Sequence, residues 1–494
     1  MPKLSLEKLI QSLSQGELRA FSLTIKKDKN PSYYNLFNAI RSGKSDESKK
    51  KNNNETQLRN YLYNSILESL VKSSKTIDTQ IVKGLHYAEV LYNRQLIKEA
   101  SKEIEKIEKL ATKHERFGYI IQILEWKKII GIRLETFSTS DYRAASALEK
   151  QTIDNYLNYL KAADIYTELL FRKKKEGYVQ EQKKLPKLSE IELTKDDDAI
   201  PRRTLYYKRM AHAVHNCLIQ DTQSQYELTK LIVQDAAVII ETNDCLSAYF
   251  EHLTSCICVG AFNEFFATLN KLKADIKRGK FGNNQDLRIK LFYYSANYEL
   301  IALTYMGDEN NLKLKIKEVE LGIQKLGDSL SLEMLLIIYW ALKLAYYFIG
   351  NTAMSKHYLN KIKTQGGPNL RFDVYQSTMF FSLLICTDLN NVTDMETTLT
   401  TIKNECDFVN KPQFEFDLAL VKIFQGFATD KMNKEDLFKA VLATYNNHIP
   451  PIKGGFKYTE NNYPYYLWAK ARLNKKSFME TACHEYKTNF NINY

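Results

Sequence analysis

Apolar residues recur at steps of three and four through most of this chain, and the gaps between such runs hold little more than a turn. That pattern dictates helices, since residues three and four apart share one face of a 3.6-residue turn. Leu58, Tyr61, Leu62, Ile66 and Leu70 form one such face, and Ile81, Leu85, Ala88 and Tyr92 another. Ile97, Ala100, Ile104, Ile107 and Ala111 follow at once, with only Asn93 to Leu96 between the last two sets. Two helices so joined must reverse direction and pack their apolar stripes together as a helical hairpin.

Similar breaks fall near Asn93, Phe137, Lys174, Gln220, Gly260, Gly307, Gly350, Asp388 and Ala428. Their spacing of about forty residues lies in the range of solenoid repeats. One hairpin cannot bury both of its faces, so each needs the next, and the core extends by neighbour contacts alone. The expected fold is therefore all-α, an α-α superhelix of stacked hairpins. Composition agrees: 18 glycines and 9 prolines in 494 residues are few turn-formers, and 44% hydrophobic with 26% charged content suits a folded chain.

The expected organisation is a helical leader over 1–43, a polar linker over 44–56 and hairpins over 57–171. A charged loop or hinge follows over 172–203, then hairpins over 204–448 and a capping segment over 449–494. The 172–203 stretch carries Lys173-Lys174-Lys175, Lys183-Lys184 and Asp196-Asp197-Asp198.

The run from Ala88 to Ala100, continued by Ile104, resembles a tetratricopeptide hairpin. Ala88 matches its small first-helix residue, Leu91 the large residue before the turn, Ala100 the small second-helix residue and Ile104 the bulky one after it. Tyr339, Leu342, Tyr346, Gly350, Leu359 and Ile362 form a second match, in which Lys343 and Ser355 replace expected small residues. The leader, followed by Leu58-Arg59-Asn60-Tyr61-Leu62, resembles uncharacterised bacterial helical-repeat proteins. This likeness implies a tetratricopeptide-like shape and no chemistry. It also implies that first helices line a groove, with Glu89, Tyr92, Asn93 and Tyr347 facing it. Arg209, His212 and Asn216 form an equivalent polar stripe on the helix expected from Thr204 to Ile219.

Catalytic and ligand motifs are incomplete. Ser42-Gly43-Lys44-Ser45 has the core of a phosphate loop, but Asn38 stands where its first glycine belongs and no strand precedes it. His212, His215, Cys217, Cys256 and Cys258 are zinc-ligand types without zinc-site spacing. No Gly-x-Ser-x-Gly elbow is present. Asp308-Glu309-Asn310-Asn311 lacks the glycine and terminal glutamate of a calcium loop. Seven scattered cysteines and an N-terminus without an apolar run point to a reducing cytoplasm. Met334 to Ile349 is apolar except for Lys343 but short of the ~20 residues that span a bilayer.

The expectation is a non-catalytic, cofactor-free cytoplasmic scaffold that binds a protein or peptide on its concave face. A nucleic-acid-associated regulator is the first alternative, from the net charge of +12 and the cluster Lys271, Lys273, Lys277, Arg278, Lys280, Arg288 and Lys290. A glycan-binding helical protein is the second, although three tryptophans are few for sugar platforms.

Overall fold

The computed structural model describes residues 3–27, 31–42, 53–74, 76–176, 185–193, 200–235, 242–281, 285–366, 370–405, 415–451, 457–459 and 461–489. Among these the chain is all-α, with 22 α-helices and a single antiparallel bridge between Pro451 and Lys457. It divides into two compact units, residues 1–156 and 157–494.

In the first unit, α1 (Lys3–Ser12), α2 (Gln15–Lys27), α3 (Pro31–Arg41) and α4 (Asn53–Ser73) close around Leu6, Ile10, Leu18, Phe21, Phe37, Leu62 and Ile66. The helix expected to open the hairpin array thus completes the leader instead, because its apolar face meets Phe21 and Phe37. Of the expected 44–56 linker, residues 44–52 lie outside the described residues, and the rest already belongs to α4. Beyond it α5 (Ile77–Asn93), α6 (Ile97–Lys113) and α7 (Phe117–Gly131) pack in succession. Ala88 and Ala100 are both fully buried, which lets α5 and α6 approach closely.

The division between the units falls inside α8 (Thr139–Glu176), not in the expected 172–203 stretch. That stretch is not a free loop where it is described. Helix α8 continues past Lys174, and Leu185 and Ile191 are buried against Ala162, Leu169, Ala211, Val214 and Leu218. Residues 177–184 and 194–199 lie outside the described residues.

The second unit holds seven hairpins among its described residues. They are α9 (Arg202–Leu218) with α10 (Thr222–Gln234), α11 (Thr242–Cys258) with α12 (Phe262–Lys277), and α13 (Gln285–Met306) with α14 (Glu309–Leu326). Next come α15 (Leu332–Phe348) with α16 (Thr352–Gln365), and α17 (Phe372–Asp388) with α18 (Val392–Glu405). The last are α19 (Glu415–Ala428) with α20 (Lys434–His448), and α21 (Tyr463–Leu473) with α22 (Phe478–Asn489). First helices also touch first helices, α11 to α13, α13 to α15 and α15 to α17.

The turns repeat more regularly than the sequence does. Each of the seven carries one residue at positive φ: Gln220, Gly260, Gly307, Gly350, Asn390, Asp430 and Lys475, spaced 40–47 residues apart. In each, the next residue's N–H donates to the carbonyl five positions back, at 2.8–3.1 Å. This is the Schellman closure, which satisfies carbonyls that a helix end leaves open. Asp221, Asp308 and Asn351 then cap the second helix by accepting an N–H three residues on.

Helix α15 is apolar because it is enclosed, with every residue from Ile338 to Phe348 buried. Among the described residues no helix is long and apolar enough to cross a membrane. The two departures from the tetratricopeptide pattern meet here. Ser355 Oγ donates to the Lys343 carbonyl at 2.9 Å, and the Lys343 amine lies in the core without a hydrogen-bond partner.

The terminal hairpin does more than cap the last turn. Helix α22 packs back on α13. Phe478 stacks on Tyr347 at 5.1 Å, Tyr486 donates to Asn263 Oδ1 at 3.1 Å, and Arg472 Nε donates to Asp388 Oδ1 at 2.9 Å. Gly307 makes this possible, for a Cβ there would sit 2.5 Å from the Met479 carbonyl oxygen and 2.7 Å from the Cys483 Cα.

Candidate functional site

Two groups of aromatic rings, most of them half-buried, lie on α8 and on the first helices of the early hairpins. Tyr207 on α9 meets Tyr159 and Tyr166 of α8 edge-on at 5.3 and 5.6 Å. On α11, Phe250 stacks flat on Tyr294 of α13, with centroids 4.1 Å apart and planes 6° apart. Tyr293 and Tyr298 flank Tyr294 at 4.9 and 5.9 Å, and Thr254 Oγ1 donates to the Tyr298 hydroxyl at 3.0 Å. The helical step explains the second group: Tyr294 and Tyr298 are four residues apart, as are Phe250 and Thr254, so the pairs meet across two adjacent helices.

Ion pairs frame these rings. Lys173 Nζ donates to Glu251 Oε1 at 2.7 Å, and Gln225 Nε2 donates to the same oxygen at 3.2 Å. Arg371 Nε donates to Asp373 Oδ1 at 2.8 Å. Tyr207 OH donates to Asp244 Oδ1 at 3.1 Å.

Tyr166, Tyr207, Tyr293 and Tyr294 all keep part of their surface open. Yet burial pushes the Tyr294 phenol up to about 12, and burial is likewise the leading cause that raises Tyr166, Tyr207 and Tyr293. These rings pack against the core with only part of their surface open, which is why burial is the leading cause of the shifts.

The residues singled out from the sequence are dispersed. Glu89 and Asn93 are exposed on the first unit, with Glu89 lying 3.7 Å from His86. Tyr92 there contacts Trp126 edge-on at 5.7 Å and lies under Arg133 at 4.7 Å. In the second unit Arg209 is paired with Asp235, and His212 Nε2 lies 3.1 Å from the Ile191 carbonyl. Asn216 is half-buried. Tyr347 faces no open groove: it is 1% exposed, lies under Phe478 and donates to Asp388 Oδ2 at 2.5 Å. The position read as groove-facing is filled by the chain's own terminal hairpin.

The basic cluster is largely neutralised. Lys273 pairs with Glu299 at 2.8 Å, Lys280 and Arg278 share Asp275 at 3.1 and 3.6 Å, and Lys290 pairs with Asp286 at 2.8 Å. Lys271 lies over the Tyr249 ring at 5.9 Å, and Lys277 and Arg288 are exposed. Phosphate binding draws on a high density of uncompensated charge, and this surface has little.

One buried constellation has catalytic residue types. His252 Nε2 lies 3.2 Å from Glu264 Oε1 and 3.6 Å from Cys256 Sγ, while Nδ1 lies 3.1 Å from Thr229 Oγ1. Burial raises the Cys256 thiol far above its ordinary value and lowers His252. A nucleophilic thiol needs the opposite shift. Glu264 and Cys256 also compete for one ring nitrogen, so the geometry is that of a packed polar core. Burial works against charge on Glu264, but hydrogen bonds from Tyr226 and Lys230 outweigh it and hold its carboxyl low. The other zinc-ligand types are apart from it: Cys217 and Cys258 are buried, and among the described residues no three His, Cys, Asp or Glu side chains group as metal ligands.

The tyrosine groups escape a motif search because they are assembled from four helices. Their sequence trace is two tyrosine doublets, Tyr206-Tyr207 and Tyr293-Tyr294, on two first helices. No protein-family model matches the chain, and neither a curated protein nor a solved structure matches it.

Proposed function

We propose that this chain is a non-catalytic, tetratricopeptide-like scaffold of the cytoplasm that binds a protein or peptide segment along the first helices of its second unit. The observation that carries this reading is the pair of aromatic groups on α8 and these helices, Tyr166 with Tyr207 and Phe250 with Tyr294 and Tyr298, whose tyrosines keep part of their surface open. Tyrosine gives broad apolar contact with a polar tip and loses little side-chain freedom, which suits an extended or helical ligand. The pairs Lys173–Glu251 and Arg371–Asp373 supply charges already fixed in position, so a ligand exchanges hydrogen bonds with them at low ordering cost. The tetratricopeptide reading is supported by buried Ala88 and Ala100 and by the recurrent turn closure.

The test is a random peptide array probed with the full chain and with Tyr294→Ala and Tyr207→Ala. Truncating a central aromatic anchor costs about 2 kcal/mol or more, roughly thirtyfold in affinity. Retained peptides should weaken by that order in both variants. Retention unchanged in both, or no retained peptide, removes the proposal.

A further inference from the structure

Repeat arrays hold together by contacts between neighbours, so a change at one end is felt only nearby. The terminal hairpin of the second unit departs from that rule. Helix α21 follows α20 in the ordinary way, with Trp468 edge-on to Phe438 at 4.9 Å. It also reaches earlier hairpins. At its start Tyr463 meets Tyr305 of α13 edge-on at 5.3 Å, and at its end Arg472 Nε donates to Asp388 Oδ1 of α17 at 2.9 Å. Trp468 Nε1 donates to the same oxygen at 3.3 Å.

Helix α22 then returns towards the start of the unit. Phe478 in its first turn meets Tyr347 and Phe348 of α15 at 5.1 and 5.3 Å. The backbone of Met479 and Cys483 lies against Gly307, between α13 and α14. Near the end of α22, Tyr486 packs on Phe262 at 5.6 Å and donates to Asn263 Oδ1 of α12 at 3.1 Å. Phe478, Ala482 and Tyr486 are four apart, so one helix face carries these anchors. Each residue they meet lies at or within three positions of a left-handed turn residue, Gly260, Gly307, Gly350 or Asn390. The terminal hairpin therefore touches four consecutive hairpins on their turn edge, across 80 to 223 positions of sequence.

The two terminal helices are also fixed to each other. Tyr466 and Lys470 of α21 both donate to Glu485 of α22, at 2.7 and 2.8 Å, and Arg472 lies over the Phe478 ring at 4.5 Å. A stiff element bound to four repeats links their opening. Any one of them must break its own contact with it or displace it from all four, whereas a hairpin in a simple array gives up only its adjacent interfaces.

We infer that the terminal hairpin is a strap that couples the hairpins from α11–α12 to α17–α18 into one cooperative body. The inference is independent of the proposed binding function.

Hydrogen exchange read by mass spectrometry on the full chain tests it, comparing wild type with Phe478→Ala and Arg472→Gln. These substitutions act at α15 and α17, and the slowest-exchanging amides of α11–α12 read the coupling. Far-ultraviolet circular dichroism confirms folding, and Arg472, whose side chain is 38% exposed, keeps the test available if Phe478→Ala does not fold. Exchange in α11–α12 should rise by the same factor as in α15–α16, at least about tenfold for Phe478→Ala and roughly threefold for Arg472→Gln. Acceleration that decays step by step from α17 to α11 overturns the inference, as does acceleration confined to α21–α22 or none at all.

Discussion

Replacing Lys343 by methionine should stabilise the protein. Lys343 is fully buried, its amine has no hydrogen-bond partner, and its environment is the interface of α15 and α17. Two effects compete there. The amine lies 4.3 Å from the Phe381 ring centre and 5.3 Å from that of Trp340, and a charged amine gains up to about 2 kcal/mol from each such face when desolvated. Removing an ammonium from water costs several kcal/mol even after relaxation, and Lys363 adds like-charge repulsion. Desolvation wins, so burial holds the Lys343 amine neutral, well below its ordinary value. Methionine fills a similar volume without the polar atom, which predicts a gain of about 1–3 kcal/mol at pH 7. The sign of the pH dependence follows. The unfolded lysine binds a proton that the folded one releases, so wild-type stability rises with pH towards the unfolded value of 10.5. Thermal melts of both proteins at pH 7 and pH 10 provide the assay, with Lys343→Met melting higher at pH 7 and the gap narrowing at pH 10. A Lys343→Met protein that melts lower, with a gap independent of pH, would show a charged amine held by the two rings and refute the reasoning.

Gly307→Ala should loosen the terminal hairpin, because the added methyl meets the α22 backbone and the residue sits at φ +71. The expected loss is above about 3 kcal/mol, seen as a red shift of tryptophan emission when the buried Trp468 gains water. Lys475→Gly should do the opposite on a small scale, since Lys475 holds φ 54 in the last turn. Relief of left-handed strain exceeds the glycine entropy cost by about 0.5–1 kcal/mol, readable as a higher melting temperature. Asp417→Asn should flatten the stability profile between about pH 4 and pH 7. Burial disfavours the Asp417 charge and the folded carboxyl keeps its proton to higher pH than the unfolded one, so wild-type stability falls as pH rises through that window. The variant should therefore melt higher at pH 8, with the gap closing near pH 4.

Hairpin turns were legible where a run of apolar periodicity stopped at Gly260, Gly307 or Gly350, because glycine marks a left-handed position. The returns between hairpins, such as the one at Glu115, carry no comparable residue, though Glu115 has φ 48. Periodicity put Leu62 and Ile66 on the buried face of α4 but also Tyr61, which is exposed, and it did not show the neighbour that face meets, the leader core. The lysine-rich end of α8 read as loop or hinge, yet lysine is a good helix former and Leu169 and Leu185 are buried together beside it. Tyr347 was expected to face a groove but is buried, and nothing local in the sequence reveals that Phe478, 131 positions on, covers it. The tyrosine groups were illegible for the same reason: their members meet only after their helices have stacked.

The central claim is that a ligand segment lies along the first helices of the second unit. A photo-reactive benzoylphenylalanine at position 294, on first helix α13, compared with one at the exposed position 314 on second helix α14, tests it directly. With the strongest array peptide present, the account predicts cross-linking from position 294 and none from position 314. Cross-linking from position 314 alone would contradict it.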